Sequence, residues 1–304
     1  MPKVSVVIPT FNRRDLISQS IQSVQDQTYQ DYEVIIVDDG STDNTREILE
    51  PLLLKHNFHY FYQENQKQAI ARNNGIRNSC GEYIAFLDSD DLWHPRKLEY
   101  QIRVLEQHSE IGMVYSNQSL IQNNHKEKTI KYPYGLLKSG EIFKDLLLRK
   151  YYCNPSSILV RKSVLDEVGL FDENLGNALE DWELTLRISQ DCKVYCIDKP
   201  LMLRRVHDES SDNYFELRNN NLQRILRKHL KNPDLSKSFT NKVWSKANFT
   251  CGHSYFLNSC YKKALFCFLK AFFKGHWAAG AAAGLSLLGP LGEKIFRYSM
   301  KLKY

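Results

Sequence analysis

The sequence predicts an α/β domain, a mostly parallel sheet with helices on its faces, followed by a helical C-terminal extension. Three observations lead there. Strand-like and helix-like segments alternate through the first hundred residues. Acidic clusters stand at the ends of two of the strands, and the composition turns rich in aromatics and lysine near residue 212. The 304 residues are 42% hydrophobic and 25% charged, close to soluble globular averages, which argues against disorder and against a multi-span membrane protein.

Residues 4–8 form a β-branched run suited to a buried strand. Asn12 is placed to cap the first helix, in which Ile17, Ile21 and Val24 recur at helical spacing. Residues 34–37 make a second strand ending in Asp38, Asp39 and Gly40, and Ser41, Thr42 and Asp43 offer caps for a helix running toward Pro51. Residues 58–62 read as a third strand, 68–78 as a helix, and 83–87 as a fourth strand that ends in Asp88, Ser89, Asp90 and Asp91. A helix over 95–108, with Pro95 near its first turn, precedes a short strand at 113–115. The polar stretch 118–135 predicts a loop or hairpin over a cleft. A strand at 158–160, helices at 162–168 and 181–189, and a strand at 201–206 complete the domain, with Glu180 and Asp181 suited to the dipole at the start of the last helix. The expected division is residues 1–211 and 212–304. Beyond it, 214–229 and 242–274 have helical character, and Ala247, Gly252, Tyr255, Tyr261, Ala264, Leu265 and Ala271 resemble one tetratricopeptide-like helical pair.

The net charge of +6 favours anionic surfaces or phosphate-bearing ligands without requiring nucleic acid, and no nucleic-acid partner is expected. Seven cysteines at irregular spacing give neither paired metal motifs nor a disulfide framework, so reduced thiols are expected. The opening MPKVSVVIPTFNRR has no basic region followed by a long apolar run, and the stretch 278–292 falls short of the ~20 apolar residues that span a bilayer. A cytoplasmic location is therefore expected.

In open α/β sheets ligands sit beyond the carboxyl ends of the strands, where both acidic clusters fall. Asp88, Asp90 and Asp91 concentrate negative charge, which is unfavourable unless a cation or strong donors compensate. Mg²⁺ or Mn²⁺ suits such hard oxygen ligands, taking one or two protein carboxylates and filling the other positions with water and substrate phosphates. The alternative is an acidic turn that caps the helix at Pro95.

Four segments occur in order: VSVVIPTFNR at 4–13, VDDGSTDNT at 37–45, ARNNGI through GEYIAFLDSDD at 71–91, and EDWELTLR at 180–187. Together the chain resembles a family 2 glycosyltransferase of the GT-A fold, a Rossmann-like nucleotide-diphospho-sugar transferase, over residues 3–208. The resemblance implies an inverting enzyme that moves a sugar from a nucleotide-diphosphate sugar, a UDP-sugar by default, to a hydroxyl of a glycan or lipid-linked acceptor in cell-surface polysaccharide synthesis. It implies that Pro9, Thr10 and Phe11 face the nucleotide, that Asp39 binds base or ribose, and that Arg72 lies on the nucleotide side with its donors toward phosphate or base. Asp38 is expected to order the turn.

The same resemblance makes Asp90 the metal ligand, with Asp88 on the ribose or on a metal-bound water. Asp91 either joins them or caps the next helix. His207 is implied on the metal or diphosphate, against an uninvolved loop histidine. Asp181 is implied as the base that takes the acceptor's proton, in a pair with Glu180 whose mutual repulsion raises one pKa. Trp182 either lines the acceptor pocket or packs in the core. Polymerising synthases of this family carry QxxRW; here Gln223, Arg224, Ile225 and Leu226 depart from it, so transfer of single residues is expected.

No GxGxxG follows the first strand, which argues against a dinucleotide-dependent oxidoreductase, and the glycine-rich basic loop of sugar nucleotidyltransferases is missing. A catalytically silent nucleotide-sugar-binding scaffold of envelope assembly is the other reading. Aromatics with Lys270, Lys274, Lys294, Arg297, Lys301 and Lys303 in the tail suit an anionic surface, which would hold the protein at the inner face of the cell membrane; a packed appendage or a homodimer contact is the alternative.

Overall fold

The short apolar runs of the first two hundred residues become neighbouring strands of one sheet. In the computed structural model, residues 1–55, 57–122, 127–128, 138–206 and 214–294 are described. His207, most of the stretch 118–135, and Arg297, Lys301 and Lys303 lie outside them. The chain divides into two compact units, Met1–Glu209 and Ser210–Tyr304.

In the first unit β1 (Val4–Thr10), β2 (Tyr32–Asp38), β3 (Phe58–Tyr62) and β4 (Tyr83–Phe86) pair in parallel, in the spatial order β3-β2-β1-β4. Every residue of β1, β2 and β4 is buried, as expected of central strands covered on both faces. The crossovers are α1 (Arg14–Gln25), α2 (Thr45–Leu49) and α3 (Gln68–Arg77). Ile17, Ile21 and Val24 face the core from α1, as their spacing predicts.

Past β4 the sheet turns antiparallel: β8 (Leu159–Arg161) pairs with β4 and with β6 (Ile111–Gln122), and β6 runs parallel to β9 (Lys193–Val206). β5 (Leu92–Trp93) closes the far edge on β9, and β7 (Glu127–Lys128) forms a hairpin with β6. β6 and β9 are much longer than the sequence predicts, and Gln118 to Gln122 are strand rather than loop. Their polar side chains hide the alternation, and register irregularities between Ser116 and Gln118 break it again. β5 and the one-turn α5 (Phe143–Leu147) are too short to leave a periodic signal. The remaining helices, α4 (Lys97–Gln107), α6 (Lys162–Val168) and α7 (Glu180–Asp191), fall where the sequence predicts them.

Asn12 is not the cap of α1. It takes a left-handed backbone, φ 51°, and its side chain accepts the Thr42 N–H, while Asp43 Oδ2 accepts the Arg14 N–H at the helix start. The cap is delivered from the neighbouring strand end, which local sequence reading cannot see.

The second unit holds α8 (Tyr214–His229), α9 (Lys237–Leu257), α10 (Tyr261–Phe272) and α11 (Ala278–Leu287). The helical stretch 242–274 is two helices, broken where Ser259 adopts φ 59°. Gly252 lets Phe268 approach α9, since a Cβ there would stand 2.6 Å from the ring. Among the described residues no helix is long and apolar enough to cross a membrane, and all seven cysteines are free.

Gly75 sits where α3 crosses β1: a Cβ would lie 2.3 Å from Val7 Cγ1 in a fully buried position. Gly75→Ala is expected to destabilise the protein by about 1–3 kcal/mol through overpacking, read as a lower thermal or denaturant midpoint. Gly284→Ala, with open space around the new methyl, is the control that leaves the midpoint unchanged or raised.

Candidate active site

The ends of four strands and the loops around them enclose a cleft of about 430 Å³. β1 delivers Pro9, Thr10 and Phe11, β2 delivers Asp39, and the loop after β4 delivers Asp88, Ser89, Asp90 and Asp91. Lys67 and Gln68 open α3 on the same cleft, and Arg204 and Arg205 reach it from the end of β9. The sequence-predicted residues of the nucleotide side and of the metal are therefore brought together, except His207, which lies outside the described residues, and Arg72.

Asp38 orders the turn after β2, as expected: its carboxylate accepts the Ser41 N–H and the Tyr60 hydroxyl. Asp39 accepts the Gln66 and Lys67 N–H groups and the Gln63 amide. It lines the cleft while holding the chain before α3 against it, and Gly40, at φ 85°, makes that approach close: a Cβ would stand 2.9 Å from Asn65 N.

Arg72 corrects the expectation. It is only 2% exposed and faces no open cleft. Its two terminal nitrogens donate to Asp88 Oδ1 at 2.7 Å and to Glu180 Oε1 at 3.0 Å, and its guanidinium lies over the Phe171 ring. The fork expected to meet a phosphate instead ties the acidic loop after β4 to the acidic start of α7. Buried fork-to-carboxylate pairing satisfies the charge that a ligand would otherwise have met.

The three aspartates after β4 part company. Asp88 accepts from Arg72 and from the Gln68 amide. Asp90 keeps a carboxylate on the cleft, 3.5 Å from Arg13 Nε. Asp91 is buried; it accepts the Ser156 hydroxyl and the Arg205 N–H rather than capping α4. Burial beside Asp88 and Asp90 pushes its carboxyl well above the usual range.

No group of three metal-ligating side chains exists among the described residues. The donor set nevertheless fits Mg²⁺ or Mn²⁺, because such an ion needs only one or two protein carboxylates when phosphates and water complete its shell. Asp90 is the carboxylate so placed.

Asp181 stands in the first turn of α7. One oxygen accepts its neighbour's N–H, from Trp182, and the other accepts the Tyr152 hydroxyl. It does not line the cleft; Tyr152 does, with Asn154 beside it. Burial and the Asp181 charge hold the Tyr152 phenol well above its usual pKa, so it stays a donor. Nothing in the sequence around Tyr152 marks it, since it precedes the turn by which Asn154 and Ser156 hold the acidic loop. Trp182 is core: it is 3% exposed and its indole donates to the Leu146 carbonyl. Arg187, at the end of the same motif, pairs with Glu183 and donates to the Val168, Gly169 and Leu170 carbonyls.

A parallel sheet whose acidic loops meet beyond the strand ends, continued by an antiparallel half, is the arrangement of a GT-A-like domain. The sequence comparison is specific within that class: residues 5–169 match Glycosyl transferase family 2, and the chain belongs to that family. It is 35% identical over 204 residues to an uncharacterised glycosyltransferase of Rickettsia felis, covering 67% of this chain and 33% of that one. It is 34% identical over 188 residues to a GalNAc(5)-diNAcBac-PP-undecaprenol beta-1,3-glucosyltransferase of Campylobacter jejuni, 60% of this chain and 59% of that one. It is 44% identical over 110 residues to the putative teichuronic acid biosynthesis glycosyltransferase TuaG of Bacillus subtilis, 36% of this chain and 44% of that one. The chain thus spans about a third of the first relative's length. Solved structures share the fold: S. aureus TarS 1-349 in complex with UDP-GlcNAc (TM-score 0.68, 17% identity, 96% of this chain and 88% of that one) and the mannosyltransferase PcManGT of Pyrobaculum calidifontis in complex with GDP-Man and Mn²⁺ (0.61, 18%, 96% and 82%).

Burial and the neighbouring Asp181 push the Glu180 carboxyl from its ordinary 4.5 up to about 7, against the pull of Arg72. An acid that is harder to ionise when folded destabilises the fold above its unfolded pKa. The metal- and ligand-free protein is therefore expected to lose up to about 3 kcal/mol from this group as pH rises from about 4.5 to 7. Thermal midpoints across that window measure it, and Glu180→Gln should flatten the slope; an unchanged slope contradicts the assignment.

Proposed function

We propose that this chain is an inverting glycosyltransferase that moves one sugar residue from a nucleoside-diphosphate sugar to a hydroxyl of a glycan or lipid-linked acceptor in cell-surface polysaccharide synthesis. The chemistry is assigned to the first unit. The observation that carries the reading is the cleft itself: its lining brings the 9–11 loop and Asp39 together with Asp88, Asp90, Arg13, Lys67 and Arg204, with Asp181 one tyrosine hydroxyl behind. The relatives named for teichuronic acid and undecaprenol-linked glycan synthesis support the acceptor class. A cytoplasmic site of action, with peripheral contact at the inner face of the membrane, fits such an acceptor.

Pro9, Thr10, Phe11 and Asp39 are assigned to the nucleoside. Asp39 has acceptor capacity left after three hydrogen bonds, because a carboxylate offers about four lone-pair sites. A UDP-sugar is the expected donor, and a GDP-sugar the alternative, since structures sharing the fold hold one or the other. Asp90, assisted by Asp88, would hold a divalent cation, which supplies charge neutralisation on the departing diphosphate. Asp181 takes the acceptor's proton as the acceptor oxygen bonds the anomeric carbon and the bond to diphosphate breaks. Both its oxygens are engaged in the resting protein, so the acceptor hydroxyl must take the place of the Tyr152 hydroxyl before transfer. Displacement from the opposite face inverts the centre.

One observation favours a catalytically silent, nucleotide-sugar-binding scaffold: Asp181 is held away from the cleft by Tyr152. Turnover separates the two readings. Thermal shift against UDP-, GDP-, dTDP- and CMP-sugars, with and without Mn²⁺, identifies the donor. Asp181→Asn is expected to lower transfer and slow donor hydrolysis at least about 100-fold while leaving the donor's thermal shift intact. Asp90→Ala should lose the metal-dependent shift as well. Tyr152→Phe should keep turnover within about tenfold and lower the acceptor KM, since it removes the competing hydroxyl. A wild-type protein that binds donor but turns over none with any acceptor supports the scaffold.

A further inference from the structure

The second unit carries an apolar stripe that its own fold leaves uncovered. One face of α10 is spent inside the unit: Ala264, Phe268 and Ala271 are fully buried, Phe268 lies over Gly252 of α9, and Ser245 donates to the Ala271 carbonyl. A helix that has already buried one apolar face ordinarily shows water a polar one. Here the other side presents Phe266 at 59%, Leu269 at 39% and Phe273 at 81% exposure, spaced i, i+3 and i+7. Trp277 follows at 80%, packed edge-on to Phe272. Lysines frame the stripe: Lys262 and Lys270 are exposed, and the Lys270 ammonium lies 4.0 Å above the Phe266 ring.

The charge of the chain says what covers it. Residues 237–304 hold 11 Lys and Arg and one acidic residue, Glu293, a net +10. The preceding 236 residues then hold 30 basic and 34 acidic residues, a net −4, so the whole basic excess lies in this unit. A second copy is a poor occupant, because docking would set +10 against +10. Aromatics and leucine between lysines suit the boundary of an anionic bilayer, where rings enter the acyl edge and ammonium groups meet phosphate.

We propose that the apolar surface formed by Phe266 and Leu269 of α10 with Phe273 and Trp277 just beyond its end is a docking surface for an anionic phospholipid bilayer. It rests on the proposed peripheral membrane contact and gives that contact a place, yet stands apart from the transfer reaction, because binding is read without turnover. The full chain is sedimented with vesicles of phosphatidylcholine alone and of phosphatidylcholine with phosphatidylglycerol, at low and at high salt. The expected result is pelleting with the phosphatidylglycerol vesicles only, weakened by salt, with a blue shift of tryptophan emission that Trp277→Phe removes. Phe273→Ser with Trp277→Ser should lower the partition at least about tenfold, because each ring withdrawn from water contributes to affinity. Lys262→Glu with Lys270→Glu, which changes only exposed side chains, should abolish the preference for phosphatidylglycerol even if the aromatic variant folds poorly. Equal partition of wild type and both variants, no binding to either vesicle, or self-association that shields Trp277 in sedimentation equilibrium would each overturn the proposal.

Discussion

The site depends on one buried cation. Arg72, on α3, holds Asp88 with one nitrogen and, with another, Glu180, 108 residues further along the chain, and so joins the loop after β4 to the first turn of α7. A charged Glu180 would be costly in so enclosed a position without it, and Arg72 would be as costly without its two carboxylates, since breaking a buried pair strands a charge. Lysine could not replace it, because two carboxylates at an angle need a planar fork. The rest of the anchoring is built around it: Asn73 beside it exchanges hydrogen bonds with the Phe171 backbone, whose ring lies under the guanidinium.

A second set of bonds fixes the acidic loop from its other side. Ser156 accepts the Asp88 N–H and donates to Asp91, and Asp91 in turn accepts the backbone of Arg205 on β9. Asp91 is thereby spent on architecture, while Asp88, tied to Arg72, and Asp90 both line the cleft. That division explains how adjacent carboxylates coexist: one is paired with the buried Arg72, one is buried with donors and pushed toward protonation, and one lies on the cleft near Arg13. The coupling of Asp181 to Tyr152 has the same logic, a carboxylate kept satisfied until something displaces its partner.

Much of this is legible in sequence. The parallel strands announce themselves because residues buried on both faces must be apolar and β-branched, and α1 because its apolar residues recur at helical spacing. β6 and β9 are legible only in part, since Asn117, Gln118, Arg204 and Arg205 are polar within strands. The motifs name nearly all the residues of the site, but they misassign Arg72 and leave Asp91 open, and they do not reach Tyr152, Lys67 or Asn154. Residue type states what chemistry a side chain can perform, not which of two suitable partners it will meet.

The sequence by itself determined the alternating α/β pattern, the family, and the presence of carboxylates at strand ends, because each is written in short-range periodicity or in an ordered set of motifs. It also determined the charge division between residues 1–236 and 237–304, which is a matter of counting. Only the tertiary structure decided which acids are exposed, that Asp43 rather than Asn12 caps α1, that Arg72 serves the protein instead of a ligand, and that Tyr152 stands between Asp181 and the cleft. Those choices rest on contacts between residues tens to more than a hundred positions apart. Burial and hydrogen-bond geometry, fixed when the strands and helices come together, set them.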